Sequence, residues 1–154
     1  HTSFINQHSV LANMPEELLS RIQGKVALHS AQKAYAPDGA YGDQEKDSGR
    51  GFTINCSNTA YAVQSHPLIR QHSETGEECI YGCLGYIIGV EGLDDEEAMA
   101  LLDALYLWQT REEFQYNHHW KAGMLVMWDN RSVLHKANGG YQGYERVLHR
   151  TVVG

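Results

Sequence analysis

Cysteine is scarce in this chain: Cys56, Cys79 and Cys83 are its three among 154 residues. An odd, small number, with no charged start, apolar stretch and small-residue cleavage site ahead of it, excludes a secreted disulfide scaffold and leads us to expect reduced thiols in the cytoplasm. Cys79 and Cys83 stand in the apolar stretch Cys79-Ile80-Tyr81-Gly82-Cys83. That spacing is not a zinc knuckle's, and both are expected to pack as small hydrophobes. Long hydrophobic runs are missing too. Nothing approaches the roughly 18 consecutive apolar residues of a transmembrane helix, so no membrane span is expected. Basic charge is in the minority, 12 Lys and Arg against 19 Asp and Glu, giving a net charge of −7 with the 9 His counted as neutral. An acidic chain without a Lys/Arg stripe repels phosphate backbones, which excludes nucleic acid as a partner. Internal repeats and low-complexity tracts are absent. So is a starting Met: the chain opens on His1, and we expect a sequence that begins inside a longer protein.

Hydrophobic residues make up 42%, enough for a globular core. A chain of this size buries roughly two thirds of its unfolded surface as one domain. Asn13-Met14-Pro15-Glu16-Glu17 predicts a helix start, with Asn13 as cap, Pro15 in the first turn and acids at the positive helix end. Leu18, Leu19 and Ile22 supply its apolar stripe and Gly24 stops it. Residues 25–29 read as a strand. Residues 35–51, with Pro37, Gly39, Gly42, Asp43, Lys46, Asp47 and Gly49, cannot build a core element and are expected to form a long mobile loop, either a surface insertion or a lid. Asp94 and Glu97 spell a capping box, and Ala98, Leu101, Leu102, Leu105 and Trp108 follow helical spacing after it. The acids of that segment are therefore a helix N-terminus rather than a metal site. Three strand candidates follow: residues 113–120, residues 124–128 as a strand buried on both faces, and residues 146–153.

The last of these carries chemistry. On a strand Arg146, Leu148, Arg150 and Val152 share one face. A face carrying Leu and Val is usually inward, and a buried guanidinium needs an anion. Upstream, Trp128-Asp129-Asn130-Arg131 is a turn at a strand end, and a short run then delivers His135. One imidazole followed by two strand-borne Arg points to a metal-binding or general-base His beside an anion pocket. A structural His remains the alternative on these residues alone.

The pattern Trp-Asp-Asn-Arg-x-x-x-His at 128–135, followed by Arg146 and His149-Arg150, resembles the C-terminal signature of the taurine dioxygenase family, the iron(II)- and 2-oxoglutarate-dependent oxygenases that include herbicide-degrading members. The likeness extends to His66-Pro67-Leu68-Ile69-Arg70, to Gly76-Glu77 and Ile80-Tyr81, to the stretch 116–128, and to Thr2-Ser3-Phe4 with Met14-Pro15-Glu16-Glu17-Leu18. It implies a mainly β fold with flanking helices, a double-stranded β-helix or jelly roll, of which residues 1–154 form the C-terminal part.

The resemblance also implies a site. His135 matches the distal iron-binding His. Arg146 and Thr2 match the residues that hold the far carboxylate of 2-oxoglutarate, a planar fork suiting a carboxylate better than an ammonium does. Arg150 matches an Arg that holds the substrate's anionic group in sulfonate-oxidising members. On a regular strand Arg146 and Arg150 stand ~13 Å apart, room for two anions. The implied cofactors are Fe(II), 2-oxoglutarate and O2, and the implied reaction oxidises a C–H bond of a small sulfonate or carboxylate with release of succinate and CO2. The proximal His-x-Asp/Glu pair of the family is not among these residues. His1 stands where the family has the Asp of its Gly-Gly-Asp-Thr turn, and neither it nor His118, His119 or His149 is expected to bind iron. The alternative is a catalytically incomplete fragment, a non-catalytic dicarboxylate binder, or a domain that pairs with a partner. A missing half-sheet would leave apolar strand edges exposed and favour homo-oligomers.

Overall fold

The computed structural model describes residues 1–42, 54–140, 143 and 147–153. In chain order they form β1 (Thr2–Asn6), α1 (Gln7–Ala12), α2 (Glu16–Ile22), β2 (Val26–Ser30), α3 (Gln32–Tyr35), β3 (Val63–Pro67), β4 (Ile69–Gln71), β5 (Glu78–Ile80), β6 (Ile87–Val90), α4 (Asp95–Gln109), β7 (Gln115–His118) and β8 (Val133–Ala137). Two three-stranded sheets, β7-β1-β8 and β3-β2-β6, and the β4-β5 hairpin are antiparallel throughout.

The helix expected from Asp94 forms as predicted. The Asp94 side chain accepts from the Glu97 amide at 2.9 Å while Glu97 accepts from the Asp94 amide at 3.3 Å. Spacings of three and four then put Ala98, Leu101, Leu102 and Leu105 on one buried face. They meet Val10, Ile22, Ala27, Leu68, Ile80, Ile87 and Val90 in the core. Each fully buried Leu contributes about 1.5–3 kcal/mol through the area it removes from water. Replacing Asp94 by Ala is expected to cost about 0.5–2 kcal/mol. A urea midpoint left unchanged would show that this cap contributes nothing.

Three expectations are corrected. Asn13 does not cap α2. It closes α1, a helix absent from the sequence reading, and its side-chain Nδ2 donates to Ser9 O at 2.8 Å. The N-cap of α2 is Pro15, with no side-chain bond. Residues 124–128 form no strand, and Leu125 and Met127 are 84% and 86% exposed. No ladder flanks them among the described residues, so alternation turns these side chains outward. Residues 147–153 are likewise extended without a strand partner among the described residues, and Val147, Leu148, Val152 and Val153 are exposed. The Arg-bearing strand face is therefore not formed there, and Arg146 itself lies outside the described residues. The strand expected at residues 25–29 forms as β2, and the 113–120 candidate contracts to β7. Of residues 35–51, the first eight fold back on α3: Ala40 N donates to Lys33 O at 2.9 Å and Tyr41 N to Ala34 O at 3.0 Å. Residues 43–51 lie outside the described residues. The thiols pack as expected, with Cys79 buried and Cys56 and Cys83 half-buried. Among the described residues no helix is long and apolar enough to cross a membrane.

Candidate active site

Strand β1 is the centre of its sheet, and pairing fixes which side chains share a face. Thr2 stands opposite His118 on one side and Ala137 on the other, and Phe4 opposite Tyr116 and His135. Directly opposed residues of antiparallel strands point the same way. Thr2, Phe4, Tyr116, His118, His135 and Ala137 therefore lie on one face. Ile5 and its partner Leu134 lie on the other and pack into the core. The first face is buried at its centre although it turns from the core, with Thr2 6% and Phe4 8% exposed. Two indoles cover it. The Trp128 ring stands 5.2 Å from Phe4 and 5.0 Å from His135. Trp120 stands edge-on to His118 at 4.8 Å.

The polar atoms of this face are few and their roles follow from donor chemistry. An indole N–H can only donate. The bond of 2.9 Å from Trp120 Nε1 therefore makes Thr2 Oγ1 the acceptor. That leaves the Thr2 proton to donate, and it has no acceptor among the described residues. Beside it His118 Nε2 is buried with no hydrogen-bond partner among the described residues, while its Nδ1 stands 3.4 Å from the Tyr116 hydroxyl. Burial, and after it the positive charge of Arg150, push the His135 imidazole below its ordinary 6.5. Both effects favour the neutral imidazole, the form that binds metals.

The residues singled out in the sequence fall unevenly. Thr2 and His135 come together on one face, on the first and last strands in chain order, which are neighbours in the sheet. Arg150 is exposed but near enough to act on His135 electrostatically. Arg146 lies outside the described residues. His1 is exposed and stacks on His119 at 5.4 Å. Among the described residues no group of three His, Cys, Asp or Glu side chains stands where it could hold a metal ion. Sequence reading missed Trp120 and His118 as site residues. The signal was present: positions 118 and 120 share a face in extended chain, next to a strand of the signature. It also missed His72, whose partner Asp129 is 57 residues away.

The profile described as "Taurine catabolism dioxygenase TauD, TfdA family" matches residues 1–152. An alpha-ketoglutarate-dependent 2,4-dichlorophenoxyacetate dioxygenase of a Burkholderia strain is 31% identical over 138 residues, which cover 88% of this chain and 42% of that protein. An alkylsulfatase of Acinetobacter baylyi is 28% identical, covering 97% of this chain and 46% of its own. The chain spans about half the length of the curated relatives it matches. Among solved structures, a taurine dioxygenase from Burkholderia xenovorans superposes with a TM-score of 0.64 at 26% identity over 87% of this chain and 39% of that one. The protein AAD-2, crystallised with Mn(II) and N-oxalylglycine, gives a TM-score of 0.66 at 25% identity over 87% of this chain and 45% of that one. The sheets described above are accordingly part of the jelly roll, mainly β with flanking helices, expected from the sequence. On the strength of a profile match running nearly end to end, the chain belongs to the TauD/TfdA family of dioxygenases.

Proposed function

We propose that the protein carrying this chain is an Fe(II)- and 2-oxoglutarate-dependent dioxygenase acting on a C–H bond of a small anionic molecule. The observation that carries the reading is the shared face of β1 and β8, where an exposed imidazole and a hydroxyl with its proton left to donate stand one register step apart. Those groups fit one part of such a centre. His135 offers a metal a nitrogen whose neutral, ligating form is favoured by its surroundings. Thr2, its oxygen already engaged by Trp120, offers its proton to a carboxylate. His118 Nε2, without a hydrogen-bond partner among the described residues, gives the same patch a second polar atom. The described residues supply one metal ligand, so the rest of the donor set belongs to other parts of the protein.

When bound, iron and 2-oxoglutarate supply the oxidising chemistry, with decarboxylation to succinate and CO2. The chain's own residues bind and orient. His135 holds the metal, and Thr2 with Arg146 holds the far carboxylate of the cosubstrate. Arg150 holds the substrate anion and also, second to burial, favours the neutral imidazole. Trp128 and Phe4 pack against each other and against one side of the imidazole, orienting its ring. The names of the relatives point to aryloxy acids and sulfate esters as substrate classes to try, alongside sulfonates. The test is succinate release by the full-length protein with Fe(II), 2-oxoglutarate and a panel of aryloxyacetates, alkyl sulfates and alkyl sulfonates. Substrate-dependent succinate supports the reading. No release with any metal-loaded preparation would sink it.

Trp120 acts on this site through Thr2. Replacing it by Phe keeps the edge-on packing with His118 and removes the N–H. The apparent KM for 2-oxoglutarate is expected to rise about 2- to 10-fold, the value of one neutral hydrogen bond, with kcat at saturation unchanged. A drop in kcat at unchanged KM would reassign Trp120 to the chemical step.

A further inference from the structure

The turn between β4 and β5 and the turn that opens β8 are joined by a polar network with one buried member. His72, 7% exposed, follows β4. Its Nδ1 stands 3.3 Å from the amides of Glu74 and of Thr75. Backbone amides only donate, so Nδ1 accepts and the ring proton sits on Nε2. That nitrogen donates to Asp129 Oδ2 at 3.1 Å. Asp129 in turn accepts from Arg131, through its amide at 2.8 Å and its Nη2 at 2.6 Å. Arg131 returns to the first turn, donating to Ser73 Oγ at 2.8 Å and standing 3.5 Å from Glu74. The Arg131 side chain is 44% exposed, and exposed ion pairs contribute little. His72, whose side chain is 5% exposed, is the desolvated anchor of the set.

What Asp129 holds is the delivery of His135. Its carbonyl accepts from Ser132 N at 3.3 Å and Val133 N at 3.0 Å, closing the turn from which β8 begins. The residue before it is Trp128, whose ring stands 5.0 Å from the His135 ring. The Arg131 bonds to the same carboxylate come from an exposed side chain and from within the turn, so His72 is the buried contact that fixes Asp129 from outside it. We infer that His72 is a positioning residue of the metal site, acting through Asp129 to fix the turn that presents Trp128 and β8, and hence His135. The inference rests on the proposed role of His135 as a metal ligand.

The test is titration of the full-length protein with Co(II), followed by its d–d absorption and needing no turnover. His72→Ala is expected to weaken Co(II) affinity about 10- to 100-fold, the range for residues that orient a metal's ligands from outside its coordination shell. His72→Gln, whose amide can donate to the same carboxylate oxygen, is expected to recover most of that loss. Leu102→Ala, a core variant that lowers Tm, is expected to leave Co(II) affinity where it was. The inference is overturned if His72→Ala binds Co(II) like the wild type, if His72→Gln is as weak as His72→Ala, or if Leu102→Ala weakens binding as much. His135→Ala separates the two readings. If it alone abolishes Co(II) binding while His72→Ala does not, the positioning role falls and the metal site stands. If it binds Co(II) normally, the metal site falls and the positioning role with it.

Discussion

Replacing His135 by Ala is expected to abolish iron binding and succinate release, a loss beyond the ~10- to 100-fold that changes around a metal's ligands cost. The fold is expected to survive. His135 is exposed on the face of β1 and β8 that turns from the core, and the core contact of that strand is made by its neighbour Leu134. Circular dichroism and Tm close to wild type, with metal lost, are the signature of a ligand. A Tm collapse with metal still bound at saturation would make His135 structural. The acid limit of binding follows from the same environment. A group whose pKa is lowered by folding stays neutral further into acid than a free imidazole, so metal affinity is expected to fall at lower pH than that of an unperturbed histidine site. Burial is the first cause of the lowering and Arg150 the second. Arg150→Gln removes a positive neighbour, lets the imidazole pKa rise, and is expected to move the acid limit upward. An unmoved limit would place Arg150 outside electrostatic reach.

The parts of this molecule that were legible in sequence are those whose signals are local. Helix α4 announced itself through a cap, a returning Glu and four leucine-spaced positions, all within fifteen residues. His135 announced itself through its spacing from Trp128, Asp129, Asn130 and Arg131. What stayed hidden depends on partners distant in sequence. Trp120 and Thr2 are 118 residues apart, and no composition or period links an indole to a hydroxyl across that distance. Helix α1 has six residues, fewer than two turns, so no apolar stripe repeats. Its cap, Asn6, accepts from the His8 and Ser9 amides, but an Asn near a helix end reads equally as start or stop, and Asn13 was misread for that reason. The run 124–128 shows the converse limit. Continuous apolarity says that a segment is fit to be covered on both faces; it does not say what covers it. Leu125 and Met127 meet no cover among the described residues.

Thr2→Val carries the second large effect. Valine keeps the volume and the β-branched shape that suit a central strand, so β1 and its two ladders are expected to stay intact. The hydroxyl is lost, and with it a hydrogen bond to a charged acceptor, worth about 1.5–3 kcal/mol. The dissociation constant of 2-oxoglutarate, measured anaerobically with metal bound, is therefore expected to rise about 10- to 150-fold at ~1.4 kcal/mol per decade. Some stability is expected to go as well, because Trp120 Nε1 then has no acceptor on Thr2 in a half-buried place, and a buried donor left unpaired costs about 1–3 kcal/mol. The two losses separate in the double variant. Trp120→Phe in the Thr2→Val background removes the stranded N–H and is expected to restore stability while leaving 2-oxoglutarate affinity low. Thr2→Ser, which keeps the hydroxyl, is expected to bind the cosubstrate close to wild type. If Thr2→Val binds 2-oxoglutarate as tightly as Thr2→Ser, the hydroxyl does not reach the carboxylate. The buried Thr2–Trp120 pair would then be only a strap between β1 and the segment after β7.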